Sequence, residues 1–178
     1  MVSAIENINK LLQSKFNSKT KNTLLVTSTY KVGQFTGNKT NKPLSYLCAK
    51  EFDAELMPPI SRDCFAFEIV KHENSAVTEK SFCDIIDDTR SAGFTHYFVT
   101  GLTINHCVPK TAKAMKSHFE QSEETFVPQI VVIADLCGAK TGTYQKHSTT
   151  GVAKCERVYA DLQTQGIMVA EMADIRFT

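Results

Sequence analysis

Five short apolar runs, set between segments of helical period, limit what this chain can fold into more than any other feature. The runs are Thr23-Leu-Leu-Val-Thr-Ser, Cys64-Phe-Ala-Phe-Glu-Ile-Val-Lys, Thr95 to Thr100, Pro128-Gln-Ile-Val-Val-Ile-Ala-Asp and Ile167-Met-Val-Ala-Glu-Met. They are too short for helices and rich in β-branched and aromatic residues, so they read as strands. Most are nearly continuous in apolar character, the pattern of strands buried on both faces. Between them lie amphipathic segments. Ile5, Ile8, Leu11, Leu12 and Phe16 recur at helical spacing over 3–16, with Ser3 and Glu6 placed for a capping box. A weaker helical pattern covers 44–55, and Pro58-Pro59 ends it. Over 78–91, Phe82, Ile85 and Ile86 face inward and Gly93 is placed as a C-cap. A helix starts near Cys107 with Pro109 in its first turn, where a missing N–H costs nothing. The last spans 149–165, with Val152, Cys155, Val158, Tyr159 and Leu162 inward and Gly166 closing it. Residues 18–22, 33–43 and 120–125 read as polar connections. Helix and strand alternate throughout, which predicts an α/β fold with a mostly parallel sheet covered on both faces, in one domain over residues 1–178.

In such sheets ligands sit beyond the carboxyl ends of the strands. Lys71, the stretch from Thr103 to Cys107, and Asp135 all fall there. Cys107 has two readings. It is either a small buried hydrophobe, the usual fate of a free cysteine, or a nucleophile at the positive end of a helix, a position that favours negative charge. N–H groups at that helix start could form an oxyanion hole. Lys71 is either a solvated charge at a strand end or, if it lies near Cys107, the group that steadies the thiolate. His106 adjoins Cys107, but neighbours at a helix start point about 100° apart, so it reads as structural or as an edge of the substrate site. Asp135 is either a general base or a cap for the following loop, and His147 helps to begin the last helix.

The totals exclude other classes. With a net charge of +1, nothing marks a nucleic-acid partner or an acidic membrane. No apolar run approaches the roughly 18 residues of a membrane span. The N-terminal residues lack the pattern of a signal peptide, which points to a cytoplasmic location. Six cysteines without a Cys-x-x-Cys pair read as reduced thiols, and five scattered histidines supply no metal-ligand spacing. No metal or cofactor is expected; a small-molecule substrate is.

Gly101-Leu-Thr-Ile-Asn-His-Cys-Val-Pro-Lys-Thr-Ala resembles the nucleophile motif of the isochorismatase-like cysteine hydrolases. Lys71-His-Glu-Asn-Ser-Ala-Val resembles the segment around that family's catalytic lysine, and Cys107 lies 36 positions after Lys71, as suits the family. Val131-Val-Ile-Ala-Asp resembles the strand that follows. The resemblance, which runs from about residue 3 to the C-terminus, implies a three-layer αβα sandwich with a doubly wound sheet. It also implies cleavage of an amide or ureide C–N bond through a thioester, and a homodimer. Cys107 would be the nucleophile and Lys71 the triad lysine. The N–H of Cys107 and that of a residue near Thr103 would form the oxyanion hole, and a cis peptide would fall between Leu102 and Thr103.

Two departures stand out. Ile104 occupies a place where the motif usually has threonine, which alters the lining of the site. The triad aspartate belongs to a first strand of the type Val-x-Asp-x-Gln, and no such segment is found. Leu24-Leu-Val-Thr-Ser looks similar, with Ser28 at the acid position, but its place in the chain makes it the family's second strand. The chain is therefore expected to lack the first strand, which is central in the family's sheet, and to be impaired in its acid–base step. Strands 23–28 and 95–100 would then have to pair directly, or another element would have to fill the gap. The alternative function is a catalytically inactive relative that serves as a binding or interaction protein. The metal-binding Asp-x-His of the nicotinamidase branch is missing too.

Overall fold

The computed structural model describes residues 2–15, 23–32, 34, 56, 58–139 and 141–176. The helix expected over 44–55, the polar segment 18–22 and nearly all of the loop expected over 33–43 lie outside the described residues. In chain order the elements are α1 (Val2–Lys15), β1 (Leu24–Ser28), β2 (Phe67–Lys71), α2 (Lys80–Ser91), β3 (His96–Leu102), α3 (Cys107–Gln121), β4 (Gln129–Gly138), α4 (Lys154–Thr164) and β5 (Met168–Ala170). Single turns of 3₁₀ helix at Arg62–Cys64 and Ala76–Thr78 flank β2.

The strands pair in parallel, as the apolar runs predict. β1 lies beside β2, from Leu24 opposite Phe67 to Ser28 opposite Lys71. β3, β4 and β5 form a second sheet in that order. The direct pairing of β1 with β3, one of the two arrangements expected of a sheet without its central strand, is not made among the described residues.

Alternation along β4 shows the layers. Ile130 and Val132 pack with Phe82 and Ile86 of α2, with Val108, Ala112, Met115 and Phe119 of α3, and with Cys155 and Leu162 of α4. Ile133 turns the other way and, with Leu136, meets Leu11 and Ile8 of α1 together with Met172 and Ile175. Helices thus cover both faces, and the α/β sandwich is the expected one. Ile104 is fully buried in the larger cluster. It contributes to the core, not to the site lining that its place in the motif predicts.

Several boundaries differ from expectation, each for a local reason. The fourth strand continues past Asp135 to Gly138. Its register against β3 shifts between Val99 and Gly101, and pairing resumes at Gly101 with Cys137 and Leu102 with Gly138. Gly101 sits at that irregularity with φ +112°, which a residue with a Cβ rarely adopts. The shift carries β3 beyond Thr100 and delivers the chain to the turn before α3. The last helix starts at Lys154 rather than 149, because His147 closes a separate turn: its carbonyl accepts from the Gly151 N–H at 2.8 Å and its Nδ1 from the Thr149 N–H at 3.3 Å. α1 begins at Val2, so Ser3 lies inside the helix and is not its cap.

Candidate active site

The carboxyl ends of β1, β2 and β3 meet the start of α3, and each brings one part of a polar cluster. β2 ends on Lys71, which is 4% exposed, so its ammonium must be satisfied inside the protein. Lys71 Nζ donates to Tyr30 Oη at 2.6 Å, to the Glu73 carbonyl at 2.8 Å and to Cys107 Sγ at 3.6 Å. The lysine and cysteine named from the sequence are therefore brought into direct contact. The surroundings also include Tyr30, two residues beyond β1 and 5% exposed. Its ring lies under the Lys71 ammonium, 5.0 Å from Nζ to the centroid, and its hydroxyl is 3.7 Å from Cys107 Sγ and 3.3 Å from Ser28 Oγ. Asn74 Oδ1 is 3.9 Å from Sγ. Neither Tyr30 nor Asn74 was singled out by sequence reasoning.

The turn after β2 explains how Lys71 and Asn74 reach one sulfur. Residues 72–75 wind back so that the Glu73 carbonyl faces Lys71 Nζ, and Ser75 caps the short turn that follows by accepting from the Val77 N–H. α3 anchors the winding. Thr111, one helical turn beyond Cys107, accepts the buried Ala76 N–H on its hydroxyl at 3.1 Å. Thr111→Val keeps the shape and removes that acceptor, orphaning a donor in a fully buried residue. It is expected to cost about 1–3 kcal/mol in urea unfolding. A change below about 0.5 kcal/mol would mean that this bond does not hold the turn.

Ahead of α3, the peptide between Leu102 and Thr103 is cis, where the resemblance places it. The turn that follows consumes some N–H groups. Ile104 donates to the Gly138 carbonyl, and His106 and Val108 both donate to the Thr103 carbonyl. Among the described residues, the N–H groups of Thr103 and Cys107 donate to no main-chain carbonyl outside the regular elements. These are the two donors expected to serve an oxyanion. Cys107 opens α3 and is partly exposed. His106 precedes it as an exposed residue with φ −144° and ψ −87°.

Asp135 stands elsewhere. Its carboxylate accepts the Met172 N–H at 2.9 Å and its carbonyl accepts from Asn7 of α1 at 3.3 Å. Of the two sequence readings, the cap-like role matches these bonds, and the carboxylate ties β4 to the segment after β5. No three metal-ligating side chains cluster among the described residues. No helix among them is long and apolar enough to cross a membrane.

Cys64, Cys83, Cys107, Cys137 and Cys155 are all free thiols. Cys137 is buried in β4, and that burial pushes its thiol up to about 12. In the unfolded chain it ionises near 9, so the folded state binds more protons between those values. Its contribution to stability is complete below about pH 9 and is lost as pH rises toward about 12. The expected slope is about 1.4 kcal/mol per pH unit. Urea midpoints across this window should fall faster for the wild type than for Cys137→Ala; parallel curves would contradict the assignment.

No protein-family model matches the chain, and no curated protein matches its sequence. Solved structures do match. PnC1 from L. infantum, crystallised in complex with nicotinate, superposes with a TM-score of 0.69 at 14% identity, covering 97% of this chain and 81% of that one. N-carbamoylsarcosine amidase from Thermoplasma acidophilum gives 0.66 at 13% identity over 99% and 86%. An isochorismatase family protein from Desulfovibrio vulgaris gives 0.59 at 21% identity over 97% and 80%. The chain has the isochorismatase-like fold.

Proposed function

We propose that this protein is a cysteine hydrolase that cleaves the C–N bond of a small amide or ureide through a thioester on Cys107. The observation that carries the reading is the contact of Lys71 Nζ with Cys107 Sγ, 3.6 Å apart at the mouth of the α3 turn. A buried ammonium beside the sulfur of a partly exposed cysteine steadies the thiolate, the attacking form of cysteine. The solved structures that share the fold, among them an amidase, support the reading.

In the proposed reaction Sγ bonds to the substrate carbonyl carbon. The oxygen takes up negative charge and is received by the N–H groups of Thr103 and Cys107. The C–N bond breaks, and the proton that left the thiol reaches the departing nitrogen by way of Lys71. Water then adds to the thioester carbon, its proton passing to Lys71. The C–S bond breaks and the proton returns to sulfur.

The test is turnover of a panel of small primary amides, N-carbamoyl amino acids and ureides, followed by release of ammonia. The expected result is turnover of at least one member that stops when Cys107 is carboxymethylated. Turnover that survives full modification of Cys107 would overturn the reading.

A further inference from the structure

Cleaving an amide needs a proton delivered to nitrogen as the bond breaks, because an amide anion is a very poor leaving group. Three carboxylates near Lys71 in sequence are engaged away from the sulfur. Glu68 pairs with Arg62. Glu73 Oε1 accepts from Gln34 Nε2 at 3.2 Å, and Glu79 Oε1 accepts the His72 N–H at 2.9 Å. Tyr30 is placed differently. Its hydroxyl oxygen is 2.6 Å from Lys71 Nζ and 3.7 Å from Cys107 Sγ, so one phenol bridges the lysine and the reacting atom. The ring is held by burial and by the ammonium above it, and the hydroxyl has Ser28 Oγ at 3.3 Å and the Glu73 carbonyl at 3.5 Å as further partners. A phenol can accept a hydrogen bond from the ammonium while donating its own proton, which suits a relay.

Resting on the reading of Cys107 as nucleophile, we propose that Tyr30 is a catalytic residue, the proton donor to the departing nitrogen. On acylation, Lys71 holds the proton taken from the thiol. As the C–N bond breaks, the Tyr30 O–H proton goes to nitrogen and the Lys71 proton refills the phenol across the 2.6 Å bond. The S–C bond formed and the C–N bond broken balance, and in net one proton passes from the thiol to the amine, the phenol being restored and Lys71 left neutral. On deacylation the path reverses: the attacking water loses a proton to Tyr30, Tyr30 passes one to Lys71, and the sulfur recovers it as the C–S bond breaks.

A donor to the leaving group matters only when that group is basic. The test therefore compares single-turnover acetylation of Cys107 by p-nitrophenyl acetate, phenyl acetate and acetanilide, read by mass spectrometry of the quenched protein, in wild type and Tyr30→Phe. The expected ratio of wild-type to variant rate lies within a few-fold for the p-nitrophenyl ester and rises to about 10²–10⁴ for acetanilide. A ratio that is constant across the series, whether near one or uniformly large, would overturn the proposal, since a packing role slows all three alike. Thermal melts of Tyr30→Phe check folding. If the variant does not fold, 3-fluorotyrosine at position 30 preserves the packing and changes only the acidity of the donor, and an unchanged leaving-group dependence there overturns the proposal equally. Failure of the underlying reading looks different: acetylation then falls on residues other than Cys107 in both proteins.

Discussion

Cys107→Ala is expected to lower hydrolysis of whichever amide the panel identifies by about 10⁴-fold or more, the scale seen when a covalent nucleophile is deleted. The expectation follows from what the variant keeps. Alanine is the best helix former, so α3 still begins where it does. The backbone N–H groups of residues 103 and 107 are still present, and Lys71 still has Tyr30 Oη and the Glu73 carbonyl as acceptors. Cys107 is only partly buried, so removing one sulfur leaves little cavity, and the melting temperature should move by only a few degrees. Loss of rate without loss of fold separates a catalytic residue from a packing one. If Cys107 were a packing residue, stability and rate would fall together.

Lys71→Met is expected to be the second most damaging change, by about 10²–10⁴-fold. Methionine fills nearly the same volume in a site that is 4% exposed. It removes the ammonium beside Sγ and the partner of the Tyr30 hydroxyl, and a buried charge replaced by an apolar chain of similar size is often near neutral for stability. Lys71→Arg separates charge from proton transfer. A guanidinium keeps the charge near the sulfur but does not give up its proton at any accessible pH. Lys71→Arg is expected to be nearly as slow as Lys71→Met in steady-state hydrolysis of the amide. Near wild-type turnover in Lys71→Arg would mean that charge alone suffices and that no proton passes through position 71.

Much of this site was legible in the sequence, because strand ends in a parallel α/β sheet collect chemistry and the strands could be read from their apolar runs. Lys71 closes one such run and Cys107 follows another, which puts both at strand ends, but spacing left their meeting open and only the resemblance to a known motif paired them. The cis peptide before Thr103 was expected from the motif around Cys107 and is present; the same motif is the source of the proposed oxyanion donors at Thr103 and Cys107. Tyr30 was not legible for a physical reason. It sits beyond its strand in a polar stretch, Thr29-Tyr-Lys31, where a tyrosine carries no periodicity to mark it as buried. The one signal was position, since it too lies past the carboxyl end of a strand. Asn74 was hidden inside a turn whose winding depends on Thr111, a contact 35 positions away in the chain. Asp135 misled because the apolar run ends there while the hydrogen-bonded strand does not; the register shift against β3 allows β4 to continue to Gly138.

The central claim is that Cys107 forms the covalent bond. The most direct measurement mixes the protein with p-nitrophenyl acetate, quenches in acid within the first turnover, digests it and locates the acetyl group by mass spectrometry. The acetyl group is expected on the peptide that carries Cys107 and is expected to be absent from that peptide in Cys107→Ala. Acetyl groups on Cys64, Cys83 or surface lysines, with Cys107 unmodified, would contradict it.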